Sequence, residues 1–382
     1  MIKVAIDCHK LEDATGAHRA GIGRHIYKLL EEISKKPELA EKFRFYLYFK
    51  GHIPKDIEFL NNEIFVKKVA KLPLFLPFFR PSFNIFFHIA LPIYTLKDRV
   101  DVIFFSSFMY PAFYMGKSIL LLTNDVYYEF TKGTLPFKYR ISYKLFAKWG
   151  AIRATQITTQ TNASRDEISG YFNIAPEKIE VVPLGADLKD FAPKEKVQKE
   201  NYIFYVGQAF PRRHLKETLQ AFELIAYDFP ELNFIAVGID KYNPPVIEGL
   251  VKKINQKLGN RRIYRQEFVS DEGLVEFYQK AKIFTYISSS EAMGLPPLEA
   301  LAAGTVPVVA DTPTTKEIFG SHAFFVEDSE DPKNIAKVLR EALQNAGARD
   351  KILQDREEVL AKYTWKGHAE KMIEMFEKVS LK

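Results

Sequence analysis

Short apolar runs alternate with amphipathic helical patterns along the first half of the chain. The runs are rich in β-branched and aromatic residues, as strands are, and they cover residues 4–6, 43–49, 102–105, 119–122 and 157–159. Strands that alternate with helices predict a parallel, doubly wound α/β sheet.

A charged stretch without periodicity, residues 189–200, separates this series from a second one. It contains Pro193 and precedes the strongly apolar run 202–207, and further predicted strands follow at 234–238, 283–286 and 306–309. The sequence therefore predicts two Rossmann-like domains, residues 1–190 and 191–364, and a final helix over 365–382 that returns to the first. Because ligands bind beyond the carboxyl ends of such strands, two facing domains would form one central cleft.

Composition places the chain among globular proteins and narrows its chemistry. The 382 residues are 47% hydrophobic and 27% charged, which suits two folded domains. The net charge of +6 favours anionic partners in general. The single cysteine, Cys8, lies in the first apolar segment and excludes a disulfide framework, and the N-terminus has no signal-peptide pattern. We expect a cytoplasmic protein, or one at the inner face of the membrane.

The stretch 72–94 is rich in Phe, Leu and Ile but is interrupted by Arg80, Asn84, His88 and four prolines. These interruptions argue against a membrane-spanning helix. For residues 81–91 two interpretations remain, an amphipathic core helix and an interfacial surface that meets a lipid-linked acceptor. The pattern favours the core helix.

The strongest chemical signal lies in residues 288–310, which predict a loop, a helix, a glycine stop and a strand. Pro296 and Pro297 suit a helix start, where unpaired N–H groups can meet an anion, and Gly294 lets a phosphate approach the backbone. Glu291 and Glu299 could accept hydrogen bonds from a polyhydroxylated ligand. Alternatively, Glu299 complements the helix dipole and Glu291 is a solvated loop charge.

With this string the chain resembles the retaining GT-B glycosyltransferases of family 4 (glycosyl transferases group 1), whose hallmark is a glutamate pair with seven residues between. Segments 21–24, 183–193 and 363–365 support the resemblance. It implies that Glu291 contacts hydroxyls of the donor sugar, that Glu299 holds the ribose, and that the amides of Gly294 and Leu295 meet the diphosphate.

Arg212 and Arg213 follow a predicted strand and precede a helix, where cations oppose the helix dipole unless an anion lies among them. Guanidinium groups match phosphate oxygens, so we favour phosphate binding over the alternative of solvated surface charge. The family usually has Arg-Lys-Asn here and often an arginine after the strand glycine. This chain has Arg212, Arg213 and His214 at the three positions, so that Arg213 substitutes for the lysine, and it has Gln208 after the glycine.

In the N-terminal half, Gly21 and Gly23 precede a helix predicted over residues 26–33, and either bind the diphosphate or form a flexible turn. The resemblance favours the first. Related enzymes commonly have His-Asp where this chain has Asn124 and Asp125. Asparagine cannot titrate, so no general-base role carries over to Asn124, and Asp125 becomes the candidate for orienting the acceptor.

These features predict a nucleotide-diphosphate-sugar donor, a glycan or lipid-linked glycan acceptor, peripheral contact with a membrane, and no nucleic-acid partner. The resemblance suggests mannose from GDP-mannose. No metal-ligand spacing or Asp-x-Asp run occurs, so we expect no cofactor and no required metal. The alternatives are a sugar-nucleotide epimerase or phosphorylase on the same architecture, and a non-catalytic GT-B partner subunit.

Overall fold

The structure is a computed structural model that describes residues 1–12, 21–71, 82–125, 128, 137–195 and 197–382. The chain divides into two compact α/β units. Of the described residues, the first unit comprises those up to Gly185 and the segment Trp365–Lys382, and the second comprises Ala186–Thr364.

The first unit is built on a seven-stranded parallel sheet of order β3-β2-β1-β4-β5-β6-β7. Its strands are β1 Ile2–Asp7, β2 Phe43–Phe49, β3 Phe65–Val69, β4 Val102–Phe105, β5 Ser118–Leu121, β6 Gln156–Thr159 and β7 Ile179–Val181. Its helices are α1 Gly21–Ser34, α2 Phe83–Ile85, α3 Leu91–Lys97, α4 Phe137–Arg153 and α5 Asn162–Phe172, with a π-helical turn, Phe86–Ala90, joining α2 to α3. The sheet confirms the predicted parallel architecture.

Alternate residues of the strands feed two apolar cores, one on each face of this sheet. Val4 and Ile6 pack in a core with α1, whereas Ala5 packs in the other with Phe86 and Ala147. Strands covered on both faces carry near-continuous apolar runs, which is why the central ones were recognisable. The last helix of the chain, Trp365–Leu381, packs against α1 in the first core.

The second unit has a six-stranded parallel sheet of order β10-β9-β8-β11-β12-β13. The strands are β8 Tyr202–Val206, β9 Asn233–Val237, β10 Ile263–Gln266, β11 Ile283–Tyr286, β12 Pro307–Ala310 and β13 Phe324–Val326. The helices from the start of this unit to the chain end are α6 Leu188–Phe191, α7 Leu215–Ile225, α8 Ile247–Leu258, α9 Asp271–Lys280, α10 Leu295–Ala302, α11 Pro313–Phe319, α12 Pro332–Gln344, α13 Ala346–Gln354, α14 Glu357–Leu360 and α15 Trp365–Leu381.

The units divide between Gly185 and Ala186, slightly before the predicted boundary at residue 190. The physical reason is α6, which lies in the stretch taken for a linker. Its Phe191 is buried and packs edge-on against Tyr278 of α9, with ring centroids 5.3 Å apart. That contact joins α6 to the second unit.

Gly21 and Gly23 do not precede the first helix as predicted but lie in its first turn, because α1 begins at Gly21. Pro81 lies outside the described residues, while Phe86 and Phe87 are buried, in agreement with a core helix. Among the helices of the described ranges, none is both long and apolar enough to cross a membrane.

Candidate active site in the second unit

The loops that follow β8 and β11 meet at the carboxyl end of the second sheet. These two strands are neighbours, and the strand order reverses between them. The Ser289 amide donates to the Arg212 carbonyl at 2.8 Å, which joins the two loops through their backbones. A reversal point of this kind is where open α/β sheets bind ligands.

Two glycines allow the backbone to close up beside this point. Gly207 directly follows β8 and Gly238 directly follows β9, with φ values of +142° and +140°. A Cβ at Gly238 would lie 2.0 Å from the Gly207 carbonyl oxygen, so no larger residue fits. The close approach brings the loop after β9 alongside the loop after β8, and the Ala209 amide donates to the Ile239 carbonyl at 2.9 Å.

Glu291 is the centre of a polar network in the β11 loop. Its Oε1 accepts from Arg213 Nε at 2.7 Å, from the Ser288 hydroxyl at 3.1 Å and from the Tyr286 hydroxyl at 3.2 Å. Its Oε2 accepts from Arg213 Nη2 at 3.3 Å. The carboxylate is therefore held in one orientation by a two-point contact with Arg213.

The electrostatics of this network keep Glu291 ionised. Burial by itself would raise the pKa of the Glu291 carboxyl, but Arg213, Arg212 and the hydrogen bonds to the carboxylate outweigh burial and lower the pKa. Burial alone would lower the pKa of the Arg213 guanidinium, but Glu291 raises it above its ordinary value. The site thus holds the negative charge of Glu291 in a fixed position next to the positive charge of Arg213.

Both arginines lie in the short 3₁₀ turn Pro211–Arg213, just before α7, as the sequence suggested. Arg212 is buried and donates through Nε to the Ser290 carbonyl at 3.2 Å, and its guanidinium lies 4.6 Å from the Phe210 ring centroid. The anion that their position calls for is partly supplied by Glu291 of the same chain. Their placement therefore does not by itself require a phosphate.

The helix α10 begins at Leu295, directly after Gly294, which has a φ of +74°. No side chain caps this helix, and Pro296 and Pro297 contribute no N–H groups. The backbone donors at this helix start are consequently those of Gly294 and Leu295, the two residues singled out for the diphosphate.

Glu299 lies one turn further along α10 and is buried, with only 4% of its surface exposed. Its Oε2 accepts from the Tyr278 hydroxyl at 3.0 Å. The alternative that Glu299 complements the helix dipole stays open, because a carboxylate near the start of a helix does so whether it is exposed or buried. The structure also shows Glu291 to be a largely buried, paired charge, with 14% of its side chain exposed, rather than a fully solvated one.

Sequence reasoning missed the residues that hold this site in place. Tyr286 and Ser288 orient Glu291, Tyr278 orients Glu299, and His214 Nε2 contacts the Ser289 hydroxyl. A polar or tyrosine residue at the end of an apolar strand was the available signal for Tyr286 and Ser288. Tyr278 gave no local signal, because it lies inside the helix α9.

The remaining predicted residues belong to the first unit. Asn124 follows β5 and is buried, and its amide oxygen accepts from the Ser164 hydroxyl at 2.9 Å. Asp125 is next to it and partly buried. Gly23 is buried in the first turn of α1, and Gly21 has a φ of +54°. The structure thus gathers Arg212, Arg213, Glu291, Gly294, Leu295 and Glu299 in one unit, and the other four residues in the other.

The described parts of the chain contain no group of three or more His, Cys, Asp or Glu side chains placed to hold a metal ion.

Comparisons with known proteins agree with this architecture. Residues 187–358 match the family model described as glycosyl transferases group 1, and residues 19–190 match that of glycosyltransferase family 4. The solved structure of a sucrose-phosphate synthase from Thermosynechococcus elongatus superposes over 99% of both chains with a TM-score of 0.71 at 16% identity, which shows a shared fold.

Two curated relatives are bacterial. The O-antigen chain mannosyltransferase B of Escherichia coli is 24% identical over 355 residues, 86% of this chain and 88% of the relative. The O-antigen chain mannosyltransferase RfbU of Salmonella typhimurium (strain LT2) is 26% identical over 196 residues, 51% of this chain and 53% of the relative. The chain spans about half or less of the length of the first curated relatives it matches. The two family models, one for each unit, show that the chain belongs to glycosyltransferase family 4 (glycosyl transferases group 1) and has the GT-B fold.

Proposed function

We propose that the protein is a retaining glycosyltransferase that moves a hexose from a nucleoside diphosphate to a hydroxyl of a glycan or lipid-linked glycan. Mannose from GDP-mannose is the donor we favour, because the relatives named above are mannosyltransferases. The observation that carries the proposal is the fixed Glu291–Arg213 pair beside the uncapped start of α10.

Glu291 would bind hydroxyls of the donor sugar. A carboxylate has about four lone-pair sites, two on each oxygen. Three hydrogen bonds already crowd Oε1, whereas Oε2 accepts only the bond from Arg213 Nη2 among the contacts described. Oε2 therefore has acceptor capacity for a sugar hydroxyl, and the Arg213 contact fixes its direction.

The diphosphate would lie over the start of α10 and against Arg213. The hydrogen bonds of Arg213 to Glu291 and to the Gln208 carbonyl occupy one N–H on each of its three nitrogens. Arginine has five N–H groups, so one on Nη1 and one on Nη2 can donate to a phosphate oxygen. The amides of Gly294 and Leu295 would add donors along a favourable helix dipole.

Transfer with retention requires that the acceptor hydroxyl attack from the face that the diphosphate leaves. The bond from the anomeric carbon to the phosphate oxygen breaks, a bond to the acceptor oxygen forms, and the acceptor proton passes to a phosphate oxygen of the departing nucleoside diphosphate. Such a step needs charge stabilisation rather than a protein base. It is compatible with Asn124, which cannot titrate.

The positive charge of Arg212 and Arg213 and the helix start would balance the leaving group without a metal. We therefore propose activity that persists in a chelator. We also propose that Asp125 and Asn124 help to orient the acceptor, with Asn124 offering its amide NH₂ group because its oxygen is engaged by Ser164.

Calorimetric titration of GDP-mannose, GDP, UDP-glucose and ADP-glucose with EDTA present tests the donor site. We expect one nucleotide class to bind, and Glu299→Gln to weaken it by roughly tenfold or more, because a charged hydrogen bond to ribose is lost. The matched control is Glu272→Gln, an exposed residue of α9 that should bind donor normally.

Proton NMR of the product then gives the anomeric configuration, and an inverted product would overturn the retaining mechanism. Binding of no donor by the folded protein would favour the non-catalytic partner subunit. Conversion of the donor sugar without any acceptor would favour the epimerase.

A further inference from the structure

The helix α4 of the first unit exposes a ridge of large apolar side chains. Phe137, Ile141, Leu145 and Trp149 follow one another at intervals of four residues, a spacing that places them along one side of a helix. Their exposed fractions are 75%, 43%, 63% and 42%. Soluble surfaces rarely gather so many large apolar groups without a binding role.

The opposite side of α4 is fixed against the sheet, so the ridge cannot turn inward. Ala147 and Ala151 are fully buried in the core. A Cβ at Gly150 would lie 2.6 Å from Leu120 Cδ2, which shows how closely the helix and β5 approach. The outward direction of the ridge follows from this packing.

The loop before β5 extends the ridge. Phe113 and Met115 are 74% and 79% exposed. Arg153, at the end of α4, donates through Nη2 to Met115 Sδ at 2.9 Å. His88 also joins this loop to α4, because it accepts from the Ala112 amide at 3.2 Å and stacks on Phe146 of α4, with centroids 5.4 Å apart. We call Phe113, Met115, Phe137, Ile141, Leu145 and Trp149 the apolar face.

Basic residues accompany the apolar face. The sequence of α4 contains Lys138, Arg140, Lys144, Lys148 and Arg153 and no acidic residue. Lys144 and Lys148 are exposed, directly precede Leu145 and Trp149, and form no ion pair with any residue in the described ranges. The Arg153 guanidinium lies 5.5 Å from the Trp149 ring centroid, at the C-terminal end of the ridge. Apolar and aromatic groups beside lysine and arginine are typical of helices that lie in a membrane interface.

We propose that the apolar face docks the protein on a lipid bilayer that carries anionic headgroups. Charge selects this occupant over a second copy of the chain, because pairing the face with itself would bring two wholly basic helices together. A bilayer supplies both an apolar layer for Phe137, Leu145 and Trp149 and negative charge for Lys144 and Lys148. The proposal does not depend on the proposed catalytic activity.

Co-sedimentation of the full chain with vesicles tests the proposal. Vesicles of phosphatidylcholine and phosphatidylglycerol in equal parts should bind the protein, and phosphatidylcholine vesicles should bind it much less. Lys144→Gln with Lys148→Gln should weaken partitioning by roughly 25-fold, about fivefold for each charge. Added salt should weaken it further. The control is Lys252→Gln with Lys253→Gln in α8 of the second unit, which removes the same charge and should bind normally.

The apolar part of the face is tested with Ile141→Gln and Leu145→Gln together. We expect at least a tenfold loss of vesicle binding. Leu224→Gln, an exposed leucine of α7, is the matched control. Thermal unfolding of each variant shows whether the fold survives, and since these side chains are exposed, little change is expected.

The chain has two tryptophans, and only Trp149 is on the surface, because Trp365 is buried. Brominated lipid tails should therefore quench Trp149 fluorescence on binding and leave the Trp365 emission. Equal binding to neutral and anionic vesicles, or binding without quenching, would overturn the proposal. A dimer in sedimentation velocity that Leu145→Gln dissociates would identify the face as a contact between copies instead.

Discussion

The two units share one strand order around their reversal points, yet the loops there differ in kind. In the second unit the loops after β8 and β11 carry a largely buried ion pair, Arg213 with Glu291. In the first unit the contact between Asn124, which follows β5, and Ser164, in α5, joins two neutral groups. The difference places fixed, paired charge at the reversal point of the second unit and neutral hydrogen bonds at that of the first, so we expect the diphosphate of the donor to bind to the second unit.

Removing the charged contact should have the largest effect. Arg213→Ala leaves the Glu291 carboxylate without its two-point partner and should destabilise the fold by roughly 3 kcal/mol, as breaking buried ion pairs does. It should also lower kcat/KM for transfer about 10²- to 10³-fold, the usual effect of removing one charge-stabilising donor. Urea unfolding and steady-state kinetics measure the two effects.

Two variants separate stability from activity. Arg213→Ala combined with Glu291→Gln removes both charges and should recover part of the stability but none of the activity. Arg340→Ala breaks an ion pair with Asp228 of the same 2.7 Å length at the surface, and should cost less than about 1 kcal/mol. If Arg340→Ala were as costly as Arg213→Ala, burial would not be what makes the Glu291 contact strong.

The first unit has a buried polar contact of its own, and it should make stability depend on pH. His25 Nε2 and His368 Nε2 are 2.8 Å apart, and His368 Nδ1 lies 2.8 Å from the Pro183 carbonyl. Burial, with a smaller contribution from Lys371, lowers the pKa of His368 from 6.5 to about 4. Burial and His368 also lower the pKa of His25.

Both imidazoles are therefore neutral in the folded state across pH values at which the unfolded chain binds protons. Stability should be constant above about pH 6.5 and fall as the pH drops through 6.5 towards 4, with His368 alone accounting for roughly 3 kcal/mol. Denaturation followed by tryptophan fluorescence reports on this unit, because Trp149 and Trp365 both belong to it. His368→Gln should reduce the pH dependence, and His52→Gln, at an exposed histidine, should not.

The sequence predicted the interior of each sheet and missed its edges. Predicted strands 43–49, 102–105 and 283–286 coincide with β2, β4 and β11. The four strands absent from the prediction are the four edge strands, β3, β7, β10 and β13. Central strands are covered on both faces and carry continuous apolar runs. The edge strands β3 and β10 carry charged residues that are not fully buried, such as Lys67 and Lys68 in β3, and so lack that pattern. The edge strands β7 and β13 have only three residues each, too few for a recognisable run.

The candidate site likewise has a part that the sequence predicted and a part that it missed. The sequence predicted the roles of Glu291, Gly294 and the helix start, because all three lie in one continuous segment that follows local preferences for helix beginnings. The ion pair of Glu291 with Arg213 could not be predicted from the sequence, because Arg213 is 78 residues away and contacts Glu291 only when β8 and β11 pair. Local patterns therefore located the charges but could not show that they neutralise each other.

The smallest predicted effect concerns three glycines with positive φ and room for a Cβ. Gly294 precedes α10, Gly304 follows it, and Gly21 opens α1, with φ values of +74°, +75° and +54°. A Cβ at Gly294 would be 3.9 Å from Glu291 Cβ, and at the other two it would meet nothing within 4 Å. Alanine at each position should cost about 1 kcal/mol of stability, because only the left-handed backbone is unfavourable.

Donor binding should distinguish the three glycine-to-alanine variants. Gly294→Ala should weaken nucleotide-sugar binding roughly fivefold by shifting the N–H groups at the helix start, which corresponds to the contribution of a helix end to binding a charge. Gly304→Ala has the same backbone strain at the other end of α10 and should bind donor normally. Gly21→Ala tests the sequence-based prediction that this glycine meets the diphosphate. A loss in Gly21→Ala as large as that in Gly294→Ala, measured by calorimetric titration, would contradict the expectation that only the second unit binds the donor diphosphate.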